Sequence, residues 1–318
     1  MRNAIKIAIV ITTAIYSLSI SGLAQAAPSP AAPAISNANS NAAFWTPDNM
    51  KNAKAFDMVV DKATGVGNRV EAARGANQTS TRKATSATSG TYEAYATGKV
   101  FFSIGSSNYV CSGSLVKETD ANRAIVLTAG HCVWDNATSK YVTNFVFVPN
   151  YAFNRSNVDC SRLVNCWGAS ALFASSGFTS QTKFTTTATL NDWGFAVLKG
   201  TSLPDATGYS YNLDTVSGNV GSTTYAFGYP QASPYDGLTL YYTVGKVATD
   251  PNNGNKTYKL VSDLTGGASG GPWVFGYGSG SAQRAGSLNS YRYTGGDSMY
   301  GPMFNANTKA AFDSAMAY

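Results

Sequence analysis

The sequence predicts an all-β protein, and three observations predict it. Runs rich in β-branched and aromatic residues are short and recur with Gly, Asn or Asp between them. Charged residues make up only 13% of the chain, against 44% hydrophobic. Gly (31) and Tyr (19) are abundant, as are Ser and Thr, the profile of an extracellular, turn-rich protein rather than a helical cytosolic enzyme.

The strands follow in order. Lys99–Ile104, Tyr109–Val116 and Ala124–Thr128 come first, then Val142–Val148, Gly194–Leu198 and Thr223–Phe227. Leu238–Val247, Pro272–Phe275 and Ala285–Leu288 complete the set, a spacing that suits a sandwich or barrel. Asn305–Met316 carries Ala310, Phe312 and Met316 among polar residues and reads as a terminal helix. With 318 residues the chain can build one large domain or two modest ones.

The amino-terminal part differs. Arg2 and Lys6 precede an apolar stretch that ends in Ala24-Gln25-Ala26, so residues 1–26 read as a secretory signal and the protein as secreted. No later segment offers the ~20 apolar residues of a membrane span. Residues 27–83 read as a largely disordered propeptide. Ala27–Ala43 is almost wholly Ala, Pro, Ser and Asn, and only Phe44–Val70 suggests a short helical piece. The dibasic pair Arg82-Lys83 marks a cleavage site, with Arg74 as the alternative, which leaves 84–318 as the mature domain. A spacer retained on the mature protein is the competing reading.

The net charge of +6 does not signal nucleic-acid binding. Residues 1–83 hold 9 Lys and Arg against 4 acids, whereas residues 84–318 hold 14 against 13, so no basic stripe remains on the domain. Four cysteines in an exported chain imply two disulfides, with three pairings open.

Three local patterns carry chemistry. His131 is the one histidine of the chain and follows the apolar run Ala124–Leu127 in Thr128-Ala129-Gly130-His131-Cys132. An imidazole is a suitable base for an alcohol nucleophile near neutral pH. Ser269 lies in Gly266-Gly267-Ala268-Ser269-Gly270-Gly271-Pro272, where a tight turn can expose Oγ. The amides of Gly267 and Ser269 can there face a developing oxyanion. Asp192 enters the apolar run Trp193–Leu198, and a carboxylate in such a place needs a partner, which His131 supplies. Asp205 and Asp214 lie in polar, turn-rich stretches and fit turns better. One histidine excludes a His-rich metal site, and no metal or cofactor is expected.

These three motifs, in the order His, Asp, Ser, resemble the chymotrypsin-like serine proteases, in the style of the secreted microbial branch with the V8-like glutamyl endopeptidases. The resemblance covers residues 92–318. It implies two six-stranded antiparallel β-barrels with the triad His131, Asp192 and Ser269 at their seam. It implies an endopeptidase working on protein or peptide substrates as a monomer, and disulfides Cys111–Cys132 and Cys160–Cys166. Ser290 resembles the serine that supports the triad aspartate and lines the substrate groove. Asp263, six residues before the nucleophile, resembles the base of a pocket for Lys or Arg at P1. Cleavage after Glu is the alternative, although the chain lacks a second histidine to bind that side chain. The residue before the nucleophile is Ala268 where animal relatives have the Asp that receives the new amino terminus. A non-catalytic binding module on the same fold, or an esterase, are the competing readings.

Overall fold

The computed structural model describes residues 32–71, 84–88, 90–199, 208–216 and 218–318. The expected signal peptide, the cleavage sites at Arg74 and Lys83, and Asp205 lie outside them. Among the described residues no helix is long and apolar enough to cross a membrane.

Six strands pair antiparallel in the order Ala171–Ala174, Gly194–Lys199, Arg123–Thr128, Ser107–Val116, Thr97–Ile104 and Thr143–Pro149. Their side chains are buried on both faces over long stretches, as in Val100-Phe101-Phe102 and Ile125-Val126-Leu127, because the sheet curls around its own core. The carboxy-terminal half contains a six-stranded sheet through Arg284–Leu288, Pro272–Phe275, Thr223–Gly228 and Tyr241–Lys246. A three-stranded sheet of Ala248–Thr249, Thr257–Val261 and Ser298–Pro302 lies beside it. The all-β class therefore holds, with the second half divided between two sheets. The terminal helix spans Ala306–Ala317. Asn305 caps it in a capping box with Thr308, and its buried face sets Phe312 on Phe195 at 5.5 Å between ring centroids.

The expectation of a largely disordered segment before residue 84 needs correction over residues 32–71. Ala34–Ile35 adds a strand to Ala171–Leu172, and Ala38–Ala43 and Pro47–Asn52 are helices capped by Asn37 and Thr46. The backbone of this segment approaches the sheet closely, where Gly168 leaves room for it. A Cβ on Gly168 would stand 1.9 Å from the Ala38 carbonyl oxygen. Polar side chains satisfy backbone groups of the domain: Asn41 donates to the Ala169 carbonyl and Trp45 Nε1 to that of Asn144. Lys54–Val60, expected in a helical piece, is a strand that pairs antiparallel with Gly67–Glu71.

Cys111 is joined to Cys132 and Cys160 to Cys166. The first bridge ties the turn that carries His131 to the strand Ser107–Val116 across 21 residues. Replacing Cys111 and Cys132 together by Ala should lower unfolding stability by about 3 kcal/mol in the chain-entropy view. Denaturant unfolding of the double variant checks this, and an unchanged midpoint would contradict it.

Candidate active site

The turn Gly130–Cys132 follows directly on the strand Arg123–Thr128, and it delivers His131 to the seam between the two halves. Asp192 sits two residues before the neighbouring strand Gly194–Lys199, which pairs with Arg123–Thr128 in the register Gly194 opposite Thr128. That register sets the two side chains together. His131 Nδ1 lies 2.8 Å from Asp192 Oδ2, and the His131 amide donates to Asp192 Oδ1 at 2.8 Å. Ser290 Oγ donates to the same Oδ2 at 2.5 Å. Asp192 is fully buried, and these donors supply hydrogen bonds to both of its oxygens. The sequence-predicted His131, Asp192 and Ser290 thus meet at one point.

Ser269 lies on the loop Asp263–Gly271, and its carbonyl comes within 4.0 Å of the sulfur of Cys132, the residue after His131. Gly267 adopts φ +95°, and a Cβ there would lie 2.7 Å from the Tyr229 carbonyl oxygen, so only glycine fits. Three hydrogen bonds to two residues, Ser112 and Asn289, clamp the loop. Ser112 Oγ donates to the Gly267 carbonyl, Asn289 Nδ2 to the Ala268 carbonyl, and the Gly270 amide to the Asn289 carbonyl. Among the described residues, the amides of Gly267 and Ser269 donate to no group. Sequence reasoning missed the roles of Ser112 and Asn289, since nothing in their local sequence marks a hydrogen bond to a loop far along the chain.

The strand Lys54–Val60 crosses this site. It pairs in parallel with Tyr109–Val110 on one side, through Lys54 and Ala55. On the other side Val59 and Val60 pair in parallel with Arg292 and Tyr293. Between these anchors Ser269 Oγ donates to the Phe56 carbonyl at 3.1 Å, and the Phe56 ring stacks on His131 with centroids 5.3 Å apart. Buried His131 Nε2 has no hydrogen-bond partner among the described residues. Asp57 forms an ion pair with Arg292. A cavity of about 1340 Å³ separates the helix Pro47–Asn52 from the domain beside Lys99. There Lys99 Nζ donates to Gln231 and to the Gly237 carbonyl, and burial pulls its pKa down to about 7.

Asp263 is buried, and its Oδ1 accepts the Ala84 amide at 2.6 Å. The Tyr235 hydroxyl is pushed above its ordinary pKa by burial and by the neighbouring Asp263 carboxylate. His131 also lies near Cys111 and Cys132, but both sulfur atoms are consumed by their disulfide and offer no thiolate to a metal.

The family model for the lysyl endopeptidase C-terminal domain matches residues 76–214. Among solved structures, the protease Anisep from Arthrobacter nicotinovorans is 33% identical over 70% of this chain and 96% of its own, with a TM-score of 0.60. The thermostable serine protease AL20 from an extremophilic microorganism is 32% identical over 71% of this chain and 99% of its own, with a TM-score of 0.61. A Glu endopeptidase shares the fold at 20% identity, a TM-score of 0.54, and coverage of 74% and 97%. A search of curated proteins gave no match.

Proposed function

The chain belongs to the chymotrypsin-like serine proteases, and we propose that it is a secreted endopeptidase with Ser269, His131 and Asp192 as its triad, made as a zymogen. The observation that supports the triad is the buried 2.8 Å contact between His131 and Asp192. Ser269 Oγ attacks the scissile carbonyl carbon while His131 Nε2 takes its proton. The carbonyl oxygen becomes an oxyanion held by the Gly267 and Ser269 amides. Collapse breaks the C–N bond, and His131 returns the proton to the leaving amine. Water then repeats the sequence on the acyl-enzyme. Asp192, held by the His131 amide and Ser290, keeps the proton on Nδ1.

The zymogen reading rests on the strand Lys54–Val60. The leaving amine must reach His131 Nε2, so the carboxy-terminal side of a substrate runs toward the strand Ser107–Val116, bonded to His131's neighbour through Cys111–Cys132. Its amino-terminal side runs toward Ser290–Tyr293. The strand Lys54–Val60 runs the opposite way, from Tyr109–Val110 to Arg292–Tyr293. It offers Ser269 a carbonyl oxygen rather than a carbon aligned for attack, and so fills the cleft without being cut. Residues 1–26 are the signal peptide in this reading, 27–83 the propeptide, and Lys83–Ala84 the activation bond.

The P1 preference follows from the charges at the cleft. A cationic P1 residue needs Asp263 free, and its Oδ1 is taken by Ala84. In the carboxy-terminal half, Arg292 stands beside the bound strand and is satisfied by Asp57, whose Cβ lies against Gly266. We infer that the cleft takes an acidic residue next to the scissile bond, its carboxylate replacing that of Asp57 on Arg292. The name of the matching family model, a lysyl endopeptidase, favours lysine instead. Digestion of a denatured protein and a peptide library, with cleavage sites read by mass spectrometry, decides both questions. Cleavage after Glu or Asp that weakens in Arg292→Ser is expected. Cleavage after Lys or Arg that disappears in Asp263→Ser would return specificity to Asp263, and hydrolysis of simple esters alone would remove the peptidase reading.

A further inference from the structure

Lys99 is a buried cation without an acid to match it. It belongs to the strand Thr97–Ile104 and lines the cavity of about 1340 Å³. Its Nζ donates to Gln231 Oε1 at 3.1 Å and to the Gly237 carbonyl at 2.8 Å, and it lies 4.9 Å from the centroid of the Tyr151 ring. These partners are neutral, and among the described residues no carboxylate pairs with it. Buried charges are ordinarily paired. Asp236 acts on Lys99 across space, and Arg155 on the same wall donates to the carbonyls of Ala152 and Leu238. Gln231, which holds Lys99, also holds a passing chain: its Nε2 donates to the Ala53 carbonyl at 3.0 Å. Ala53 precedes Lys54 and Ala55, which pair with Tyr109 and Val110 on the leaving-group side. The Gln231 amide donates to the Gly266 carbonyl, and a Cβ on Gly267 would lie 3.3 Å from that of Gln231. Lys99 stands opposite Ser112 in the sheet, whose Oγ donates to the Gly267 carbonyl. The pair Lys99 and Gln231 is therefore adjacent to the nucleophile loop, at a point where a peptide backbone crosses.

We propose that Lys99 and Gln231 form a subsite for an acidic residue of the substrate two or three positions beyond the scissile bond, Gln231 taking its backbone carbonyl and Lys99 its carboxylate. The proposal rests on the peptidase reading and extends it to the leaving-group side. The position follows from the bound strand. Ala53 lies three residues from Phe56, whose carbonyl accepts from Ser269 Oγ, and three extended residues span about 10 Å. The helix Pro47–Asn52 forms the facing wall of the cavity, so loss of the propeptide opens Lys99 to a substrate chain. The propeptide presents Ala53 at this point and leaves the ammonium unmatched. An acidic side chain supplies the charged acceptor that Lys99 lacks, and the bond between them is charge-assisted. Gln and Asn offer only another neutral oxygen, of the kind that Lys99 already has in Gln231 and Gly237.

The test uses the full chain after its own processing, with active sites counted by fluorophosphonate labelling of Ser269. Peptide pairs carry the P1 residue that the enzyme prefers and either Glu or Gln at the second or third position after the scissile bond. At one of these positions the wild-type kcat/KM should be on the order of tenfold higher for Glu than for Gln. Lys99→Met, which keeps an unbranched apolar stem, should bring that ratio to about one. The ratio compares two substrates on one enzyme, so a general loss of activity in the variant cancels. A wild-type ratio near one at both positions would overturn the proposal without any variant. A Glu preference that survives in Lys99→Met would overturn it as well. Labelling separates these outcomes from failure of the peptidase reading, which would leave Ser269 unlabelled and both peptides uncut and would overturn both.

Discussion

Ser269→Ala and His131→Ala should each lower kcat by roughly 10⁴-fold or more while the fold persists. In the proposed mechanism Ser269 Oγ bonds the substrate carbonyl carbon, with the Gly267 and Ser269 amides at its oxygen. His131 is the base in that mechanism, and the chain contains no other histidine to replace it. The two losses should not add, because neither residue acts without the other. Asp192→Asn should also be severe. An amide can donate to His131 Nδ1 and so favour the wrong tautomer, and it loses the charge that the His131 amide and Ser290 stabilise. Kinetics of processed, active-site-counted variants on a protein substrate check this, and wild-type activity in either Ala variant would contradict the assignment.

A chain that cannot be cleaved should be inactive. With Arg74, Arg82 and Lys83 all replaced by Gln, the strand Lys54–Val60 stays in the cleft. The fluorophosphonate must then wait for a minor open population, so the labelling rate falls in proportion to that fraction. A strand seated 99% of the time would give about a hundredfold loss. Several contacts hold it: the pairing at both ends, the Asp57–Arg292 ion pair, the Phe56–His131 stack, and the Arg69 guanidinium lying over the Phe56 ring at 5.3 Å. Asp57→Ala in the uncleavable chain leaves the partly buried Arg292 unpaired and should restore part of the labelling without any cut. Circular dichroism before and after confirms that the domain is unchanged. Equal labelling of the cleaved and uncleavable chains would show that the strand does not close the site.

Much of this was legible in the sequence. The strand reading matched closely where runs are short and bounded by turn residues: Pro272–Phe275 is the same in both, and Ala124–Thr128 became Arg123–Thr128. His131, Asp192 and Ser269 stood out because their chemistry needs special neighbours, an apolar run beside a lone acid or glycines around a serine. Those neighbours are local in sequence. The amino-terminal segment was misread for the opposite reason. Its Ala, Ser and Asn residues have little apolar surface of their own, and their order comes from partners more than a hundred positions away, as with Asn41 and the Ala169 carbonyl. The strand Lys54–Val60 has no partner nearby except Gly67–Glu71, and its contacts with Arg292 and Ser269 cannot be read from composition. Asp263 was found by position relative to the nucleophile, but its partner Ala84 is set by a strand pairing that no local pattern encodes.

Ser269 as the nucleophile and closure of its site by the strand Lys54–Val60 are the two central proposals. One measurement tests both together. The secreted chain is treated with a fluorophosphonate before and after its cleavage at Lys83, and the modified peptide is located by mass spectrometry. The account predicts modification of Ser269 in the cleaved chain and little or none in the intact one. Labelling at another residue, or at Ser269 to the same extent in both forms, would contradict it.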